Sequence, residues 1–122
     1  MRQLKIYLID DDPSIRKGLT RLLQSFGLTV DTFGSAEEFL EAKVQESNSC
    51  LILDINLGQM SGFGLQQHLS DIGSSIPVIF ITAYDDEHTH RKMLKTGTPF
   101  LIKPFADQKL FQVLQSVADR IT

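Results

Sequence analysis

Four short apolar runs in this chain end in side chains that could do chemistry. Residues 4–9 run into Asp10-Asp11-Asp12, residues 50–53 into Asp54, residues 76–82 close on Thr82, and residues 100–102 meet Lys103-Pro104. Taken singly, each has an ordinary structural use: aspartates start helices, threonine caps them, lysine is solvated and proline follows strands. Their recurrence at strand ends is the informative feature, because parallel strands about 4.8 Å apart would bring them into one pocket. Three carboxylates gathered there repel one another and bind protons more tightly unless a cation compensates them. Oxygen-only donors, with no His or Cys nearby, favour Mg²⁺ over Zn²⁺, and Mg²⁺ takes one or two carboxylates, waters and a phosphoryl oxygen. Lys103 then offers a point charge to a second phosphoryl oxygen and Thr82 a hydroxyl to another, while a carboxylate can itself be the nucleophile. Asp54, alone at the end of a central strand, is the candidate nucleophile. Asp10 and Asp11 are candidate metal ligands, and Asp12 is assigned to a helix N-cap.

The elements that must position these groups are visible as an alternation of β-type and helical periodicity, repeated five times without a linker. Residues 4–9 read as strand one. The next helix has Asp12 and Pro13 at its start, Ile15, Leu19, Leu22, Leu23 and Phe26 on one face, and Gly27 at its end. Residues 29–33 form strand two, and Ser35 with Glu38 has capping-box spacing for a helix carrying Phe39, Leu40 and Val44. Residues 50–53 form strand three. A loop over residues 56–62 leads to a helix with Leu65, Leu69 and Ile72 in register. Strand four, residues 76–82, is apolar on both faces, as a covered parallel strand must be. Residues 85–95 form a polar helix anchored by Met93 and Leu94, with His88 and His90 assigned to its solvated face. Residues 100–102 form strand five, and a last helix from about residue 107 carries Leu110, Phe111, Val113, Leu114, Val117, Ala118 and Ile121. Short connections between alternating strands and helices predict an α/β fold: a parallel sheet wound by right-handed crossovers, with helices on both faces and the site at the carboxyl ends of the strands.

Composition narrows the function classes. The chain has 122 residues, enough for one domain, with 42% hydrophobic and 22% charged residues. A net charge of −3 offers no electrostatic footprint for nucleic acid or for an anionic membrane. The lone Cys50 lies in an apolar run and reads as a buried, inert thiol. The longest apolar stretch, residues 76–83, is too short to span a bilayer, and three aspartates arrive before a signal-like segment develops, so a cytoplasmic location is expected.

With those residues in place, the chain resembles the receiver domain of two-component response regulators over essentially its whole length, residues 1–122. The resemblance is carried by Ile9-Asp10-Asp11-Asp12-Pro13, Leu53-Asp54-Ile55-Asn56-Leu57 with Met60-Ser61-Gly62, Ile81-Thr82-Ala83, and Lys103-Pro104-Phe105. The stretch Phe33-Gly34-Ser35-Ala36-Glu37-Glu38-Phe39-Leu40 is similar to the nitrogen-fixation regulator subgroup. This implies a flavodoxin-like doubly wound sheet of order 2-1-3-4-5 with five helices. It implies a signalling domain, catalysing only its own phosphorylation and dephosphorylation, that accepts a phosphoryl group on Asp54. The donor would be a sensor histidine kinase or phosphotransfer protein, with small acyl phosphates as substitutes. By the family pattern Asp11, Asp54 and the backbone carbonyl of Asn56 bind Mg²⁺ directly and Asp10 acts through water. Thr82 and Lys103 bind phosphoryl oxygens, and the Lys103-Pro104 peptide is cis. Thr82 and Phe100 form the switch that repacks helix four, strand five and helix five, with phosphorylation-dependent pairing of two copies. Asn56 and Tyr84 occupy positions that tune phosphate lifetime.

Some positions depart from that pattern. The segment from Gly97 to Lys103 is one residue shorter than usual, Phe100 lacks a tyrosine hydroxyl, and Gly58 stands where proline is frequent. Two other readings remain open on the residues alone. In a haloacid-dehalogenase-type phosphatase, Asp10 would be the nucleophile and Asp12 the acid, although the acidic pair such enzymes carry beyond the lysine is missing here. In a receiver-shaped interaction module, no residue would be phosphorylated.

Overall fold

In a computed structural model, which describes residues 3–83 and 86–121, strands and helices alternate along the chain. They are β1 (Lys5–Ile9), α1 (Pro13–Ser25), β2 (Thr29–Phe33), α2 (Ala36–Glu41), β3 (Ser49–Asp54), α3 (Gly62–Asp71), β4 (Val78–Thr82), α4 (Glu87–Thr96), β5 (Phe100–Ile102) and α5 (Asp107–Ile121). The strands pair in parallel in the order β2-β1-β3-β4-β5. The reversal of winding between β1 and β3 opens a crevice above the carboxyl ends of those two strands, which carry the acids.

Alternation of side chains across the sheet builds two cores. Ile6, Leu8, Ile52, Ile79 and Ile81 face α1 and α5, meeting Leu23, Leu110, Leu114 and Val117. Tyr7, Ile9, Leu51, Leu53 and Phe80 face the other way, meeting Phe39 of α2, Leu65 and Leu69 of α3, and Met93 of α4. Every residue of β3 and β4 is buried, as a strand covered on both faces requires. Each fully buried aliphatic side chain contributes about 1.5–3 kcal/mol relative to exposure, so these central strands are the rigid part of the scaffold. The edge strand β2 is largely exposed, and Lys5 pairs across to its Asp31 at 2.9 Å.

Several boundaries differ from the sequence expectation for local reasons. Strand β3 includes Asp54 as its last residue, and β1 begins at Lys5. Strand β4 begins at Val78, after Pro77, which has no N–H to give to the ladder. Helix α2 stops at Glu41, and Val44 lies beyond it because Lys43 turns the chain with φ of 48°. The Ser35 hydroxyl accepts from the Glu38 N–H as a cap should, but the Glu38 carboxylate reaches back to the Gly34 N–H. Ile72 and Leu94 are each 62% exposed, so neither anchors its helix. On α5, Phe111 is 38% exposed and lies edge-on to Phe26, with ring centroids 5.1 Å apart.

The start of α3 is pressed against the end of β3. The Gly62 N–H donates to the Ile55 carbonyl at 2.8 Å, and a Cβ there would lie 2.6 Å from the Asp54 carbonyl oxygen and 2.8 Å from the Ile55 Cα. Both are backbone atoms that cannot swing aside. We expect Gly62→Ala to cost about 1–3 kcal/mol of folding stability by chemical denaturation. A denaturation midpoint equal to the wild type's would contradict that packing.

Candidate functional site

Asp10, Asp11 and Asp54 come together at the carboxyl end of the sheet, each offering a carboxylate oxygen within 4.8 Å of the others. Asp10 is fully buried and wired on every side. Its N–H donates to the Phe33 carbonyl at 3.2 Å, and its own carbonyl accepts from the Arg16 guanidinium at 2.6 Å. One carboxylate oxygen accepts from the Asp12 N–H at 2.9 Å and the other from the Lys103 ammonium at 3.0 Å. Asp11 is exposed at the mouth of the pocket. Asp12 caps α1, its side chain accepting from the Ser14 N–H at 2.8 Å.

Asp54 is 6% exposed, with one carboxylate oxygen accepting from the Asn56 N–H at 3.2 Å and the other 3.7 Å from the Lys103 Nζ. Burial pushes its carboxyl up to about 6; the Asn56 N–H pulls it back, Asp10 raises it, Lys103 lowers it and Asp11 raises it. Three acids thus face one ammonium, and the remaining negative charge, carried on hard oxygen donors, fits a small divalent cation such as Mg²⁺.

Thr82 is fully buried at the end of β4. Asp54 pairs in register with Ile81, one residue earlier, and the Lys103 N–H donates to the Thr82 carbonyl at 2.7 Å. That bond ties the lysine segment to the end of β4, and the Lys103-Pro104 peptide is cis. Phe100 is half-buried at the start of β5. The Asn56 side chain stands at the surface, and Tyr84 lies outside the described residues. Cys50 is buried in β3 and its thiol is pushed up to about 12 by that burial, so it is inert.

The sequence reading missed two contributors. Arg16 is held over the end of β1 by the first turn of α1, and no periodicity marks a helix arginine that bonds a strand carbonyl. His90, assigned above to a solvated face, is half-buried against Phe100.

The family model for the response regulator receiver domain matches residues 6–115. This chain belongs to that family. Nodulation protein W of Bradyrhizobium diazoefficiens is 40% identical over 116 residues, covering 94% of this chain and 51% of that relative. The transcriptional regulatory protein TdiR of Thauera aromatica is 38% identical over 112 residues, covering 91% of this chain and 49% of that relative. The chain therefore spans about half the length of these relatives. The crystal structure of FixJ-N superposes with a TM-score of 0.86 at 30% identity, covering 98% of this chain and 96% of that one. The sheet order is the flavodoxin-like one of that family, and a receiver role in two-component signalling follows from this membership. Receiver domains bind Mg²⁺ at an acidic pocket and interact with sensor kinases, and the Asp10, Asp11 and Asp54 cluster here could hold a metal. The phosphatase alternative falls with it: both Asp10 oxygens are engaged and Asp12 is occupied as a cap. Among the described residues, no helix is long and apolar enough to cross a membrane.

The raised Asp54 carboxyl has a measurable consequence. A group protonated more tightly in the folded chain than in the unfolded one costs stability wherever it is ionised. The cost is absent below the unfolded value of 3.8, grows with pH, and is complete above about 6. Without divalent cation, Asp54→Asn should therefore stabilise the domain at pH 7.5 by up to about 3 kcal/mol, with the gain vanishing towards pH 4. A pH-independent difference in thermal unfolding would contradict this cause.

Proposed function

We propose that residues 1–122 form one receiver domain that takes a phosphoryl group from the phosphohistidine of a sensor kinase or phosphotransfer protein onto Asp54. The observation that supports it most is the placement of a single carboxylate at the tip of a central strand, beside an ammonium and two further acids. An Asp54 oxygen attacks phosphorus as the bond from phosphorus to the imidazole nitrogen breaks, and the nitrogen keeps the bonding pair. Asp11, Asp54 and the Asn56 carbonyl would hold Mg²⁺, with Asp10 acting through water; when bound, the ion neutralises charge on the phosphoryl oxygens.

Lys103 pairs with Asp10 at 3.0 Å and is within 3.7 Å of Asp54, so a small movement of its flexible stem would bring it to a phosphoryl oxygen. The Thr82 hydroxyl serves a second oxygen. Its movement, with that of Phe100, passes the effect of the new charge to the α4-β5-α5 face, where Leu94 is exposed and a second phosphorylated copy could pair. Asn56 and Tyr84, two positions after Asp54 and Thr82, tune its lifetime. A pure interaction module would have no use for a buried carboxylate whose ionisation costs stability.

A donor must reach Asp54 from a surface beside the pocket. A groove of about 720 Å³ between α1 and the segment after β5 is lined by Ile15, Leu19, Pro104 and Phe105, and Lys103 borders both it and the acids. This apolar groove suits the helix of a phosphohistidine donor. The proposed signalling role places the chain with its kinase in the cytoplasm, and gives this domain no nucleic-acid or membrane contact of its own.

Acetyl phosphate with Mg²⁺ should add one phosphoryl group, located by mass analysis on the peptide carrying Asp54, and Asp54→Ala or chelation should abolish it. Labelling that survives Asp54→Ala would overturn the assignment. Separately, Ile15→Ala should slow transfer from a phosphohistidine donor by about tenfold while acetyl phosphate labelling stays unchanged. Equal slowing of both would remove the docking role of the groove.

A further inference from the structure

We propose that His90 is a positioning residue of the switch, its ring holding Phe100 in one side-chain arrangement and thereby tying α4 to β5. The inference rests on the reading of Asp54 as phosphoacceptor and Phe100 as a moving part. The two rings lie edge to face, with centroids 5.3 Å apart and planes at 75°. Both residues are half-buried, so the contact is neither a solvated accident nor part of the sealed core.

Helix α4 is the element that most needs such a contact. Met93 is its buried residue, and Leu94, next to it, is exposed. Towards its C-terminal half, α4 is held by the Lys92 ammonium over the Phe63 ring at 4.7 Å and by Gly97 in the left-handed conformation. Nearer its N-terminus, its acids are committed within the helix: Asp86 accepts from the Thr89 N–H and hydroxyl at 2.8 and 2.9 Å, and Glu87 pairs with Arg91. His90 is the ring this part of the helix presents to β5.

On the strand side, the backbone offers little freedom. Phe100, Leu101 and Ile102 are paired in register with Phe80, Ile81 and Thr82 of β4. What can change at Phe100 is its side-chain rotamer. Without a hydroxyl, that ring cannot mark two positions by exchanging hydrogen-bond partners. An edge-to-face contact with His90 supplies a preference for one position. The contact therefore weights the equilibrium between the positions open to Phe100, and by linkage the affinity of any ligand that favours one of them.

The test is beryllofluoride with Mg²⁺, a stable mimic of the phosphoryl group, titrated into the wild type, His90→Ala, His90→Phe, Phe100→Ala and the His90→Ala/Phe100→Ala double variant. His90→Ala should bind with an affinity changed about two- to tenfold from that of the wild type, the range an aromatic pair supplies. His90→Phe, which keeps a ring, should stay near the wild type, and the change should vanish in the Phe100→Ala background. Unchanged binding by His90→Ala, or an equal change without Phe100, would overturn the inference while leaving the Asp54 reading intact. Failure of the wild type to take up beryllofluoride would remove that reading and the inference with it. Hydrogen exchange of the metal-free protein gives a readout independent of phosphoryl chemistry. His90→Ala should speed exchange in α4 with α5 unchanged, and equal α4 protection in the two proteins would also overturn the proposal.

Discussion

Three carboxylates and one ammonium share the carboxyl end of this sheet, and the fold keeps them there against their mutual repulsion. What holds them is the stiffness of the strands beneath. Asp10 follows β1, whose Ile6, Leu8 and Ile9 are fully buried, and Asp54 ends β3, where no residue is exposed. A loop could relieve the crowding by moving; these strand ends cannot without breaking two cores. The site is therefore unfavourable to the apo chain in a way that a cation or a phosphoryl group can relieve, and that is what makes it responsive.

Lys103 sets the resting balance. Its ammonium sits nearer Asp10 than Asp54, so at Asp54 it offsets only part of the effect of burial, which keeps that carboxyl raised to about 6. The same lysine is joined through its backbone to Thr82 and borders the apolar groove along α1. A change in charge at Asp54 is thus felt at once by the group that touches β4, β5 and the adjoining surface. Downstream, α4 is held by few contacts, and a helix held that way can be shifted by a modest change in free energy.

Much of this was legible in the chain because strand ends announce themselves. Asp10, Asp54, Thr82 and Lys103 each terminate an apolar run, and the parallel sheet is the one arrangement that gathers those terminations. Caps at Asp12 and Ser35 were readable for the same local reason. What escaped depends on directions that period does not encode. Leu94 looked like an anchor beside Met93, but adjacent helix residues point about 100° apart and only one can face the sheet. His90 looked solvated because its partner, Phe100, stands ten residues on, across a turn and on another element. Arg16 reaches back six residues to a backbone carbonyl, and the Lys103 to Asp10 pair joins side chains 93 residues apart; composition gives no reason to expect either.

The claim on which the account turns is that burial and neighbouring acids leave Asp54 short of positive charge until a cation arrives. Carboxyl-carbon NMR of Asp54 as a function of pH reads this directly. The account predicts a midpoint of about 6 without divalent ions, falling to or below the ordinary carboxylate range when Mg²⁺ is added. A midpoint near 4 in the absence of Mg²⁺, unmoved by its addition, would contradict it.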